Sequence, residues 1–255
     1  MEWHRLEQRG ADIDGEAAYD WSGWSLALSS DGSILAIGAI GNNGNGADSG
    51  HVRVYTWSGT AWNQKGADID GKTTRAQSGR SIALSSDGSI LAIGAIGNNG
   101  MGIDLAHVRV YTWSGTAWNQ RGADLVGDAN EYFGFSVALS ADGSILAIGA
   151  TQALGSGLDS GYVQVYVWSG TAWNQRGAEI HGEAGRDQSG FSVALSADGN
   201  TVAIGAPGNK GSGVDAGHVR VYAWSGTAWN QRGADIDGEA AYDWSGWSLA
   251  LSSDG

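Results

Sequence analysis

The chain has no cysteine and a single proline. The first absence removes disulfides, thiolate metal sites and cysteine nucleophiles, but it leaves the compartment open, because large secreted domains can do without disulfides. The second, beside 43 glycines in 255 residues, excludes collagen and proline-rich linkers and assigns glycine to turns. Positive charge is also scarce. Lys and Arg number 14 against 27 Asp and Glu, a formal charge of −13 that argues against a nucleic-acid partner and against adhesion to an anionic membrane. No apolar run approaches ~18 residues, so helical membrane insertion is not expected. The start, Met1-Glu2-Trp3-His4-Arg5, has no leader-like pattern. With 42% hydrophobic residues, the composition supports a buried core.

What the chain has is repetition. The glycine of a Gln-Arg/Lys-Gly-Ala-acid motif recurs at Gly10, Gly66, Gly122, Gly177 and Gly233, with spacings of 56, 56, 55 and 56 residues. Residues 10–32 and 233–255 are identical letter for letter. Each period carries four short segments with strand character. Ser25-Leu26-Ala27-Leu28-Ser29 leads through Ser30-Asp31-Gly32-Ser33 to Ile34-Leu35-Ala36-Ile37-Gly38, and Asp-Gly predicts the positive φ of a type I′ hairpin. A Gly- and Asn-rich loop follows, and then Val52-Arg53-Val54-Tyr55-Thr56-Trp57, whose alternation marks a pleated strand. A fourth strand begins at Trp62, and Trp57 and Trp62 form an expected cross-strand pair, repeated at Trp113/Trp118, Trp168/Trp173 and Trp224/Trp229.

A four-stranded antiparallel meander of about 56 residues, all β, predicts the blade of a β-propeller. A parallel β-helix is the rival, but its coils are shorter and lack such hairpins. The expected organisation is a leading outer strand and acidic loop at 1–23, blades at 24–79, 80–134, 135–190 and 191–246, and a trailing inner strand at 247–255. The unpaired ends suggest either a window on a longer array or chains that exchange their redundant ends.

These residues resemble the FG-GAP repeat family, which builds integrin-type β-propellers. Phe133-Gly134 and Gly205-Ala206-Pro207 are literal matches; Ser22-Gly23-Trp24, Gly38-Ala39-Ile40, Gly94-Ala95-Ile96 and Gly149-Ala150-Thr151 are degenerate ones. The resemblance covers essentially the whole chain. It implies an extracellular or cell-surface binding or adhesion module. The calcium loop common in that family, between the first two strands of a blade, is here only Ser-x-Asp-Gly, too short for the six to eight oxygens calcium takes, and is not carried over.

Another acidic loop offers a calcium candidate. Asp12, Asp14, Glu16 and Asp20 fall at relative positions 1, 3, 5 and 9, a spacing that can bend oxygens around one cation, and the identical copy repeats them as Asp235, Asp237, Glu239 and Asp243. The intervening copies lose acids: Lys72 and Ala76 in the second, Val126 and Tyr132 in the third, His181 in the fourth. A solvated acidic rim is the competing reading.

The loops between second and third strands each keep one acid, Asp48, Asp104, Asp159 and Asp215, either contacting a ligand or capping its own turn. His51, His107 and His218 share one position at the entrance to the third strand, where Tyr162 stands in the remaining copy, an interchange that suits packing better than ligation. The tryptophans beside Asn63-Gln64 and its copies are either sugar-stacking platforms or packing between blades. The third period is the most deviant, and Asn130 and Tyr132 mark it as a place to seek a specialised site.

No HExxH, nucleophile elbow with a partner histidine, P-loop or dinucleotide fingerprint occurs, so a non-enzymatic role is expected. The sequence therefore predicts a surface binding or adhesion propeller that recognises protein or glycan, with calcium as the one candidate cofactor. The alternative is a structural repeat whose partner is a further copy of itself, in a ring, array or filament.

Overall fold

A computed structural model describes residues 8–97, 106–128 and 131–255; the candidates Asp104 and Asn130 lie outside them. The first sheet is made of β1 (Ser22–Leu28), β2 (Ile34–Ala39), β3 (His51–Trp57), β4 (Trp62–Gln64) and β5 (Ile69–Asp70). The second holds β6 (Ser78–Leu84), β7 (Ile90–Ala95), β8 (His107–Trp113), β9 (Trp118–Gln120) and β10 (Leu125–Val126). The third runs through β11 (Phe133–Leu139), β12 (Ile145–Ala150), β13 (Tyr162–Trp168), β14 (Trp173–Gln175) and β15 (Ile180–His181). The fourth comprises β16 (Ser192–Leu195), β17 (Thr201–Ala206), β18 (His218–Trp224), β19 (Trp229–Gln231) and β20 (Ile236–Asp237). Every pairing within the four sheets is antiparallel, and no helix occurs among the described residues. These are blades of a β-propeller, as the repeat predicted. No helix among the described residues is long and apolar enough to cross a membrane.

The fourth strand differs from expectation, because it comes in two pieces that both pair with the third. Trp62 to Gln64 pair with Trp57 to Tyr55, and Ile69-Asp70 pair with Val52-His51. The motif Lys65-Gly66-Ala67-Asp68 bulges between them, with Gly66 at φ +88°. The cause is the next blade. A Cβ on Gly66 would lie 2.9 Å from the ring of Trp113, and the Trp118 indole N–H donates to the Lys65 carbonyl at 2.9 Å. The outer strand therefore breaks where the following tryptophan pair leans on it. Those two rings stand 5.4 Å apart, and Lys65 lies over the Trp113 ring at 5.2 Å. Arg121 and Arg176 repeat this over Trp168 and Trp224. These contacts are packing between blades.

The Asp-Gly turns also differ from a type I′ hairpin. Only Gly32 takes positive φ, and its N–H donates to the Ser29 carbonyl at 2.9 Å, so the loop is longer than two residues. The Asp31 carboxylate organises it by accepting from the Ser29 hydroxyl and from the Ser33 N–H and hydroxyl. The two hydroxyl and backbone donors hold its pKa down to about 2.

The motif glycines form the joint between blades. A Cβ on Gly38 would meet the Gly79 carbonyl oxygen at 2.4 Å, and Ser25 Oγ donates to that same oxygen at 2.6 Å. The arrangement repeats for Gly94 with Ser81 on Gly134, Gly149 with Ser136 on Gly190, and Gly205 with Ser192 on Gly246. The Gly-Ala end of one blade thus touches the Phe-Gly end of the next at a distance only hydrogen allows. Apolar side chains fill the space between sheets: Val52, Val54 and Ile69 against Ile82, Leu91 and Ile93 behind the first joint, with like clusters behind the next two.

Residues 247–255, expected as a trailing inner strand, join no ladder among the described residues. They lie on blade four, where the Ala197 N–H donates to the Ser253 carbonyl at 2.8 Å.

Candidate functional site

The acidic loop does not gather its four carboxylates around one point. Asp12 accepts from Gln8 Nε2 at 2.7 Å, and Asp14 is exposed. Asp20, only 3% exposed, accepts from the Ala17 N–H and from Asn42 Nδ2, and so caps its own loop. Asp187 does the same for the Glu183 and Ala184 N–H groups, and the exposed Asp243 for Ala240. Position 9 is therefore occupied with backbone. The third copy keeps an acid there after all, because its missing residue shifts the register: Glu131 accepts from the Asp128 N–H, and Tyr132 takes the place of Trp21. Asp237 and Glu239 are exposed, while Asp235 accepts from Gln231 Nε2 at 2.6 Å.

What the fold does assemble comes from three separate elements of a blade. Glu16, in the loop that leads into blade one, meets His51 at the start of β3 and Asp68 in the outer-strand bulge; the equivalent set in blade four is Glu183, His218 and Asp235. In each set one ligand atom per residue lies within 4.8 Å of the others. Arg53 pairs with Glu16 and reaches Asp68 through Nε at 3.3 Å, and Arg220 stands 3.4 Å from Glu183. His218 is 1% exposed, and burial, then the nearby Arg220 charge, hold its pKa below the ordinary value, so it is neutral at pH 7. The signal was present in the sequence as a histidine in register on three blades, but nothing in linear spacing places it beside acids 35 residues earlier and 17 later.

A second feature lies on the face formed by the loops between second and third strands. Asp48, Asp159 and Asp215 all adopt positive φ there, and each carbonyl accepts from the incoming segment of the next blade, at Gln77, Gln188 and Trp244. A recess of about 420 Å³ opens between Asp159, Arg186, Gln188, Lys210, Asp215 and the ring of Trp244. A smaller one of about 240 Å³ involves Tyr19, Trp21, Asp48 and Gln77. Aromatic rings run from one to the other along the segments that enter the blades. Trp21 stacks on Trp24, Arg80 lies 5.1 Å from Trp24 and 4.2 Å from Phe135, and Phe135, Phe191, Trp247 and Trp244 follow at ring separations of 4.8, 4.4 and 5.3 Å. Sequence reading missed this row, because its members stand a full period apart.

Residues 12–55 match the family model of the FG-GAP repeat, so the chain carries that repeat. No curated protein matches it in sequence. Among solved structures it is similar to the hydrazine synthase of Kuenenia stuttgartiensis (TM-score 0.55, 13% identity, 88% of this chain and 51% of that one). It is also similar to a putative 6-phosphogluconolactonase of Bacteroides uniformis (0.57, 11%, 86% and 55%) and to the periplasmic gluconolactonase of Pseudomonas aeruginosa (0.54, 17%, 84% and 56%). The chain spans about half the length of these structures. At such identities the likeness shows the fold alone. It corrects one expectation: proteins named as lactonases share this architecture, so the expectation of a non-enzymatic protein no longer stands.

Proposed function

We propose that the protein is a binding module, acting outside the cell or on its surface, that takes a glycan or a glycan-bearing protein on its loop face. The supporting observation is the 420 Å³ recess, where the stacked rings of Trp244 and Trp247 stand beside donors and acceptors of both signs, Arg186 and Lys210 against Asp159 and Asp215. Sugar rings offer apolar C–H faces to aromatic planes and hydroxyls to such groups. The compartment rests on the family resemblance. Titration with a panel of neutral and acidic oligosaccharides, followed by tryptophan fluorescence, should give saturable binding that Trp244→Ala and Trp247→Ala each weaken at least tenfold. Binding of equal strength in the double variant would overturn the reading.

A second reading, assembly with further copies, has its own observation. Segment 233–255 makes on blade four the contacts that the second period makes on blade one, from Ser192 to the Gly246 carbonyl and from Ala197 to Ser253. Its sequence is that of residues 10–32, so this segment of a second copy fits the same surface. Native mass measured against concentration tests it, and a constant monomer would exclude it.

A further inference from the structure

We propose that blades one and four each bind a divalent transition-metal ion of the zinc type, held by Glu16, His51 and Asp68 in the first and by Glu183, His218 and Asp235 in the fourth. The acids alone would not carry this. The histidines do, because both side chains are at least nine-tenths buried, with 4% and 1% exposure, and neither Nδ1 has a hydrogen-bond partner. A buried polar nitrogen left unpaired is costly, and a ligand is the usual resolution. Both nitrogens face the carboxylates. His51 Nδ1 lies 3.9 Å from Glu16 Oε2 and 3.8 Å from Asp68 Oδ2, and His218 Nδ1 lies 3.7 Å from Asp235 Oδ2. Two ligand atoms each about 2.1 Å from one cation stand about 3.4 Å apart in a tetrahedron and no more than about 4.2 Å apart in any geometry, so a single ion spans these three gaps, and the remaining pairs, within 4.8 Å, require a carboxylate to turn inward on binding. One imidazole and two carboxylates suit zinc, whereas calcium prefers more ligands and only oxygen.

Blades two and three are internal controls. Lys72 stands where the glutamate would be, so this set is one carboxylate short, and its Nζ sits 3.1 Å from Asp124 Oδ2. In blade three Tyr162 replaces the histidine and donates its hydroxyl to Glu131 at 2.8 Å. Arg53 pairs with both Glu16 and Asp68, and Arg220 pairs with Glu183, so these carboxylates have a cationic partner when no ion is bound. Each ion would tie the loop entering a blade to that blade's third and outer strands, and so act as a staple.

The test is calorimetric titration of the chelator-treated protein with zinc chloride, with cobalt chloride absorption as the reporter of imidazole ligation. The proposal expects two ions per chain, one after His51→Gln or His218→Gln, and none after both. Absence of cobalt bands in the wild type, or two ions persisting in the double histidine variant, would overturn it. Should a histidine variant fail to fold by circular dichroism, the exposed acids decide: Glu16→Gln and Glu183→Gln should each bind one ion fewer, and two ions retained in both variants would contradict the sites.

Discussion

The joint between blades and the acid–histidine cluster within them are both built four times, and the copies agree in one and diverge in the other. At the joint, a serine hydroxyl, a carbonyl oxygen and two glycines recur with donor–acceptor distances of 2.6 to 2.7 Å in every copy. In the cluster, one copy has a lysine for the glutamate and another a tyrosine for the histidine. The joint has no room for change, since any Cβ would strike backbone. In the cluster the histidine position is buried but the acids around it reach solvent, and there one charge can replace another at little cost. Geometry fixes the first; chemistry is free to vary in the second.

Breaking a joint should therefore cost far more than altering a rim. Trp173→Ala removes a buried ring whose indole N–H donates to the Arg121 carbonyl at 3.0 Å, and it should destabilise by about 4 kcal/mol in denaturant unfolding. Ser136→Ala leaves the Gly190 carbonyl without its hydroxyl donor and should cost about 1.5 kcal/mol by the same measurement. A smaller effect comes from acid. The Asp31 carboxyl is held at about 2, and that of Asp198 is lowered by the Ser196 hydroxyl and the Asn200 N–H. Their folded pKa values lie below the unfolded one of ~3.9, so this contribution is complete above it and fades as pH falls from about 5 towards 2. The unfolding midpoint should hold between pH 7 and 5 and then drop, and Asp31→Asn should soften the drop. Trp244→Ala, at the exposed face, should shift stability by less than about 0.5 kcal/mol while it weakens oligosaccharide binding.

The sequence was most legible where structure repeats locally. Alternation in Val52-Arg53-Val54-Tyr55, the tryptophan pairs and the period together sufficed for blade and fold, because strand pairing within a meander is set by neighbours in the chain. The broken outer strand was not legible, since its cause, Trp113 against Gly66, lies in the next period. Nor were the clusters. Acids spaced 1, 3, 5 and 9 look like a ligand loop in one dimension, yet Asp20 caps backbone and Glu16 turns to a histidine 35 residues away. The placement of Asp48, Asp159 and Asp215 on a common face was legible from their register, but the aromatic row beside them was not, because segments from successive periods bring it together.

The central claim is that blade-to-blade contact of the motif glycines holds the fold. Denaturant unfolding of Gly149→Ala beside Gly170→Ala tests it directly. A Cβ at Gly149 would lie 2.1 Å from the Gly190 carbonyl oxygen, whereas Gly170, at φ +98°, has open space around it. The account predicts a loss of about 3 kcal/mol for the first and about 1 kcal/mol, from backbone strain alone, for the second. Equal losses, or an unaffected Gly149→Ala protein, would contradict it.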